Sequence, residues 1–475
     1  MAFRESDQLI VLRGRESRPQ GEGADRYTKS ARETLTGQGG PEEAMHTSLL
    51  GIANKAKNQK KHRFGNLYEM LNEENLLDCW RHIRKNAAYG VDRISAEEYG
   101  RNLKENIKDL VERLKRKKYR AKLIRRHYIP KGRDEHRPLG IPVIEDKLLQ
   151  VGVKRILEAI YEQDFVWCSY GYRPNKGAID AVERLTGKLQ FERFNYIVEA
   201  DIKGFFDNMN HDRLIQMLKE RIEDGALLRL IKKWLKAGIL ETDGKVKHPA
   251  TGTPQGGIIS PVLSNVYLHY VLDTWFHKLV RNESSGRAYI IRYADDYVSA
   301  FQHREDAENF YKLLKKRLGK YGLEVSEEKT RIIEFNQKTQ GKSRFTFLGF
   351  EYYWDRDMSG KAHLKRRTSP EKLRKSLANF TMWCRMNRNM RLKEMFKQLN
   401  SKLRGYFNYY GVIGNLRSIC RFHHTAMGIL HKWLNRRSQR KSYNWNGFEE
   451  LLKHFNVVKP YIVKRPKRQQ EQILV

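Results

Sequence analysis

The stretch Tyr289–Phe301, YIIRYADDYVSAF, leaves little choice of local structure. Two apolar runs rich in β-branched and aromatic residues flank a short polar break, the pattern of two antiparallel strands joined by a tight turn. Asp295 and Asp296 stand side by side at that turn. Like charges so close repel each other, and become tolerable in a solvated turn or against something strongly positive. Side chains alternate along a strand, so the two carboxylates should have unequal roles. Asp is a common turn residue, and the dipeptide alone favours the solvated turn.

A second strand-like run, Tyr196–Ala200, leads straight into Asp201. If the two strands are neighbours in an antiparallel sheet, Asp201 and Asp295 come to one edge. Acidic oxygens with no His or Cys nearby suit a hard cation such as Mg²⁺ or Mn²⁺. Two such ions roughly 3.5–4 Å apart would serve in-line phosphoryl transfer. Elsewhere, strands and helices interleave without a regular βαβ rhythm. The segment YIPKGRDEHRPLGIPVI reads as two strands around a charged turn, and apolar stripes predict helices over 103–114, 147–162 and 211–222. This implies an α+β domain, an antiparallel sheet backed by helices. After residue 370 the periodicity is helical only, with stripes Leu373/Leu377/Phe380 and Leu392/Met395/Phe396/Leu399/Leu403 and a third helix over LRSICRFHHTAMGILHKWLNRR, which reads as a small helical bundle.

A chain of 475 residues is too long for one ordinary core, and 40 % hydrophobic residues suffice for packed interiors. The formal net charge of +36 works against compaction unless a polyanion is near. The excess is uneven: from Arg356 onward there are 28 Lys+Arg against 6 Asp+Glu, more than i,i+4 pairing absorbs. A nucleic-acid surface is the reading this favours. No apolar run approaches the roughly 18–20 residues of a membrane span. The four cysteines show no CxxC spacing, which argues against a zinc ribbon or disulfide framework and fits a reducing compartment. Residues 1–60 are polar and aperiodic and read as a disordered extension.

The blocks around these aspartates carry a resemblance. NAAYGVDRIS, YIPKGRDEHRPLGIP, SYGYRPNKGAIDAV, YIVEADIKGFFDNMNH, TGTPQGGIISPVLSNVYLH, YADD, GLEVSEEKTRI and FTFLGFEY, in that order over about residues 62–355, resemble the reverse transcriptases, specifically group II intron-encoded proteins. LNSKLRGYFNYYGV at 399–412 is similar to their maturase motif. The resemblance implies a right-hand polymerase with fingers over 61–195, a palm over 196–355, a helical thumb or maturase domain over 356–445, and a basic tail, 446–475, able to serve as a short DNA-binding segment.

It also implies roles. Asp201, Asp295 and Asp296, with the carbonyl of Ile202, would hold two Mg²⁺ ions, with Mn²⁺ able to substitute. Lys131 and Arg137 would clamp the triphosphate, assisted by Arg125, whose alternative is phosphate-backbone binding. Phe206 would sit under the incoming sugar and exclude a 2′-hydroxyl; its alternative is a core ring beside Phe205. Gln255 and Gly256 would approach the nucleotide. Tyr293, Lys329, Phe347, Leu348 and Gly349 fall where primer and template contacts lie, with strand packing the plain alternative for the last three. Lys402, Arg404, Tyr406, Tyr409 and Tyr410 would meet intron RNA, though the tyrosines could equally pack the bundle.

The implied partners are the group II intron RNA, an RNA template with its DNA primer, target DNA and deoxynucleotides, with no membrane, in a bacterial or archaeal cytoplasm at the nucleoid. Many relatives end in a nuclease module with paired cysteines; His423 and His424 sit in a helical segment without such pairs, so no nuclease module is expected. Two other readings stay open: an RNA-binding splicing factor whose polymerase site is dispensable, and a host polymerase in defence or DNA repair.

Overall fold

A computed structural model of the chain describes residues 41–130, 136–437 and 442–464; residues 1–40, Lys131 and the basic end of the tail from 465 lie outside the described residues. The chain divides into two compact units, one from Met1–Gly177 and Val198–Arg331, the other from Ala178–Ile197 and Ile332–Val475. The units cut across the linear division, since the helix Ala178–Phe191 belongs with the second.

In the first unit, β1 (Ile124–Pro130) and β2 (His136–Ile141) form an antiparallel hairpin with Ile129 opposite Arg137. Next come β3 (Ser169–Tyr170), β4 (Tyr196–Ala200, its last three residues in this unit), β5 (Ile202–Lys203), β6 (Ile239–Leu240) and β7 (Val246–Lys247). They are followed by β8 (Ala288–Tyr293), β9 (Asp296–Phe301) and β10 (Glu324–Val325). Strand β1 continues through β6 to β7. Strands β3, β8, β9 and β4 lie side by side, with β8 and β9 antiparallel, as the alternating apolar runs predict, and β3 parallel to β8. A short antiparallel pair joins β5 to β10.

Helices pack on this framework through large apolar side chains. Phe310, on the helix Arg304–Lys320, lies 5.2 Å from Phe301 of β9 and 5.5 Å from Phe276, ring to ring. The helix Ile144–Tyr161 forms where apolar periodicity predicts one. Asn210 caps the helix His211–Lys219, accepting the Arg213 N–H at 3.0 Å. The helix Ser260–Leu268 continues through two π-helical turns, His269–Asp273 and Phe276–Val280. A helix also spans Pro41–Asn58, within the segment expected to be disordered. Leu49, Leu50, Ile52, Ala53 and Ala56 fall within its last ten residues and Ala56 is buried, which a reading averaged over sixty residues hides.

In the second unit, β11 (Arg331–Glu334, all but its first residue in this unit) precedes an antiparallel meander of β12 (Phe345–Phe347), β13 (Phe350–Arg356) and β14 (Ala362–Thr368). The helix Ala178–Phe191 lies against it: the Leu364 N–H donates to Gln190 Oε1 at 2.7 Å and Arg366 Nη1 to Thr186 Oγ1 at 2.6 Å. The helices Pro370–Asn387, Leu392–Tyr410, Leu416–Leu434 and Trp445–His454 share one core that includes Phe396, Leu399, Leu403, Phe407 and Leu430. The segment after 445 is part of that core and not a free tail as far as it is described. Phe448 is buried, Tyr461 and Ile462 pack on the bundle, and the Val463 N–H donates to the Gly411 carbonyl at 2.8 Å. Apolar residues outnumber Lys and Arg in this segment, but the basic run from Lys464 to Arg468 colours the reading of the whole.

Candidate active site

Strands β8 and β9 pair with Tyr293 opposite Asp296, which leaves Ala294 and Asp295 as a two-residue turn. Ala294 has φ 56°, in the left-handed region, where a Cβ costs about 1–2 kcal/mol. The surroundings hold it there: its N–H donates to the Tyr170 carbonyl at 2.9 Å, and its carbonyl accepts from Arg292 Nη1 at 2.8 Å. Gly171 (φ 82°) lies against this turn, and a Cβ on it would fall 2.8 Å from the Ala294 nitrogen.

Asp201 follows β4 and Asp295 precedes β9, and these strands are neighbours. Burial pushes the Asp295 carboxyl above the usual carboxylate range and the negative charge of Asp201 adds to it, while its own backbone N–H, Arg137 and Arg292 pull it back. The two carboxylates are thus close enough to repel. Asp296 is exposed. Asp201 is fixed from β10: its carbonyl accepts the Ser326 N–H at 2.8 Å, and Lys329 Nζ lies 2.9 Å from its Oδ2. With that ammonium on Asp201 and Asp296 turned outward, no group of three acidic, His or Cys side chains able to hold a metal ion is assembled among the described residues. The donors present still fit a divalent cation. They are hard oxygens, and their mutual repulsion is what a cation relieves.

Arg137 is exposed, and its charge reaches both Asp295 and Tyr172. Arg125 is committed to Tyr89, donating from Nη2 to its carbonyl at 2.7 Å with the guanidinium 4.6 Å from the ring centroid. Lys131, between β1 and β2, lies outside the described residues. Phe205 is buried and Phe206 half-buried, in edge contact at 5.4 Å, so Phe206 is not simply a core ring. The 251–257 loop is docked beside it. The Phe206 carbonyl accepts the Thr253 N–H at 2.7 Å, and the Gln255 carbonyl accepts the Gly140 N–H of β2 at 2.6 Å. Gly256 (φ 112°) permits this approach, since a Cβ there would lie 2.8 Å from the Gly140 carbonyl oxygen. Asp201, Asp295, Arg137, Phe206 and Gln255 are all in the first unit.

The second unit holds the other residues singled out in the sequence. Leu348 (φ 50°) and Gly349 (φ 80°) form the β12–β13 turn, closed by Phe347 opposite Phe350. Tyr409 donates its hydroxyl to the Leu348 carbonyl at 2.9 Å, and its ring lies 6.0 Å from that of Phe350. Tyr410 lies 5.4 Å from Phe350, and Tyr406 stacks on Phe422 at 3.7 Å. All three tyrosines therefore pack protein. Lys402 and Arg404, on the same helix, are exposed.

Sequence reading passed over Arg292, Asp273, Asn265 and Ser169, which form a buried polar network under the turn. The available signal was a charged residue inside each of two largely apolar runs, YIIRY and YVLDTW.

Comparison with known proteins agrees with this geometry. Residues 129–352 match the family described as reverse transcriptase (RNA-dependent DNA polymerase), and residues 373–449 match the group II intron, maturase-specific domain. The acidic turn and its sheet are thus those of a reverse transcriptase domain, of the right-hand polymerase architecture. Group II intron-encoded protein LtrA of Lactococcus lactis subsp. cremoris is 31 % identical, covering 66 % of this chain and 65 % of its own. Protein YkfC of Escherichia coli (strain K12) is 30 % identical, covering 62 % of this chain and 83 % of its own. An uncharacterized 91 kDa protein in the cob intron of Schizosaccharomyces pombe is 34 % identical over 45 % of this chain and 26 % of its own. The chain belongs to the group II intron-encoded reverse transcriptase family. It spans 65 % of the length of LtrA. Among the described residues, no helix is long and apolar enough to cross a membrane.

Proposed function

We propose that this chain is an RNA-directed DNA polymerase of a mobile group II intron that also binds the intron RNA as a maturase, promoting splicing and insertion into target DNA. The observation that carries this reading is that β4, which ends just before Asp201, lies beside β9, which begins just after Asp295, in a chain that continues into a maturase-specific domain. In this reading the fingers, palm and thumb span 61–195, 196–355 and 356–445. Asp201, Asp295 and Asp296, with the Ile202 carbonyl, are the residues to hold two divalent cations, Mg²⁺ or Mn²⁺. When bound, these cations supply activation of the primer hydroxyl and neutralisation of the leaving pyrophosphate.

The protein's own part is binding and orientation. Arg137 and Lys131 meet the triphosphate, while Arg125, held on Tyr89, supports that hairpin. Phe206, half-buried beside the Gln255 loop, offers a ring edge against a 2′-hydroxyl and so favours deoxynucleotides. Gln255 and Gly256 bring backbone to the sugar, and Tyr293 and Lys329 flank the turn and Asp201. Phe347, Leu348 and Gly349 support the primer end, and Lys402 and Arg404 meet intron phosphates. Tyr406, Tyr409 and Tyr410 shape that helix from within.

Asp295→Ala tests the separation of roles. Primer extension on an RNA template should fall to background while the purified protein still promotes intron splicing. Loss of both in a folded protein overturns the two-role reading.

A further inference from the structure

The Arg292 side chain is wholly buried, and so is that of Asp273. A guanidinium has five N–H donors, and all five are matched here. Nε donates to Asp273 Oδ1 at 2.7 Å, and Nη2 donates to Asp273 Oδ2 and to Ser169 Oγ at 2.6 Å. Nη1 donates to Asn265 Oδ1 at 3.0 Å and to the Ala294 carbonyl at 2.8 Å. Asn265 in turn donates to the Gly171 carbonyl at 3.0 Å, beneath the same turn.

The helix is built to allow this. Asn265 and Asp273 are eight residues apart, which an uninterrupted α-helix would set about 80° out of line. The π-helical turn His269–Asp273 takes up an extra residue and brings both side chains to one guanidinium. A buried ion pair is a poor device for stability alone, since an apolar pair of similar volume does as well or better. An apolar pair cannot hold a backbone carbonyl.

We propose that Arg292 and Asp273 are positioning residues for the catalytic turn: the guanidinium, clamped by Asp273, fixes the left-handed Ala294 carbonyl and hence the direction in which Asp295 leaves the backbone. This rests on the polymerase reading above.

The test uses the full chain with the apolar double variant Arg292→Met/Asp273→Leu and the single variant Arg292→Lys. The double variant should stay folded and keep the KM for deoxynucleotide, yet lose about 10–100-fold in kcat of primer extension, the scale of an ångström-sized misplacement. Amide exchange at 293–296 should quicken about tenfold or more, with the rest of β8 and β9 unchanged. A folded double variant with unaltered kcat and exchange overturns the proposal. Should the double variant fail to fold, Arg292→Lys decides. It keeps a charge opposite Asp273 but lacks the fork that reaches Ala294, so lowered kcat supports the proposal and wild-type kcat refutes it. If the unaltered chain extends no primer, the polymerase reading fails, and exchange at 293–296 in Arg292→Lys still decides the positioning role.

Discussion

The β8–β9 and β12–β13 hairpins are the same device built from different materials. Each closes on a two-residue turn that places a residue other than glycine in the left-handed region, Ala294 in one and Leu348 in the other. In the first hairpin the strained carbonyl is held by a buried guanidinium, itself fixed by a carboxylate. In the second it is held by a tyrosine hydroxyl, with Phe350 of the following strand packed against the rings of Tyr409 and Tyr410. A turn that must present a charge is supported by charge, whose directional bonds fix an angle. A turn with no charge to present is supported by aromatic packing and one neutral hydrogen bond. Strain of this kind persists only where the surroundings over-determine it.

The comparison breaks first at Asp273. Asp273→Ala strands the Arg292 charge in the interior and should cost about 3–5 kcal/mol of unfolding free energy, measured by denaturant titration. A loss below about 1 kcal/mol would mean that charge does not hold the first hairpin. A smaller effect is expected in the second. Gly349→Ala meets both a φ of 80° and a Tyr410 hydroxyl 3.0 Å from the new Cβ, and should cost about 1–2 kcal/mol. Adding Tyr410→Phe should return the steric part and leave the backbone part.

The smallest effect concerns Asp295. Burial and the Asp201 charge raise its carboxyl in the folded state, so folding favours its protonated form. Its ionised form therefore opposes folding at neutral pH, and that cost is relieved as pH falls through the raised value. Asp295→Asn should melt slightly higher than the unaltered chain at pH 7, and the difference should vanish in acid. An Asn variant that melts lower at pH 7 would contradict the repulsion between Asp201 and Asp295.

Much of the candidate site was legible because its residues announce themselves locally. Asp201 ends an apolar strand, Asp295 and Asp296 interrupt a hairpin, and the PQGG run permits close backbone approach. The helical stripes through Leu399 and Leu403 came through for the same reason. What stayed hidden needed partners far along the chain. Arg292 meets Ser169 and Asp273 only after folding, and the π-helical turn that aligns Asp273 with Asn265 carries no Gly or Pro to mark it in the sequence. The packed segment at 446–464 was masked by the basic run that follows it, and the helix at 41–58 by the polar residues around it.

The sequence by itself determined which groups are available: a hairpin with paired carboxylates, a third carboxylate at a strand end, and a basic helical region. Periodicity and turn chemistry are properties of neighbours in the chain, so they survive reading in one dimension. Only tertiary structure decided how those groups are aimed. It set Lys329 against Asp201, turned Asp296 outward, committed the three tyrosines to protein, and placed a buried guanidinium under the turn. The reason is that direction in a folded chain comes from contacts between distant segments, and burial is what makes those contacts strong enough to hold it.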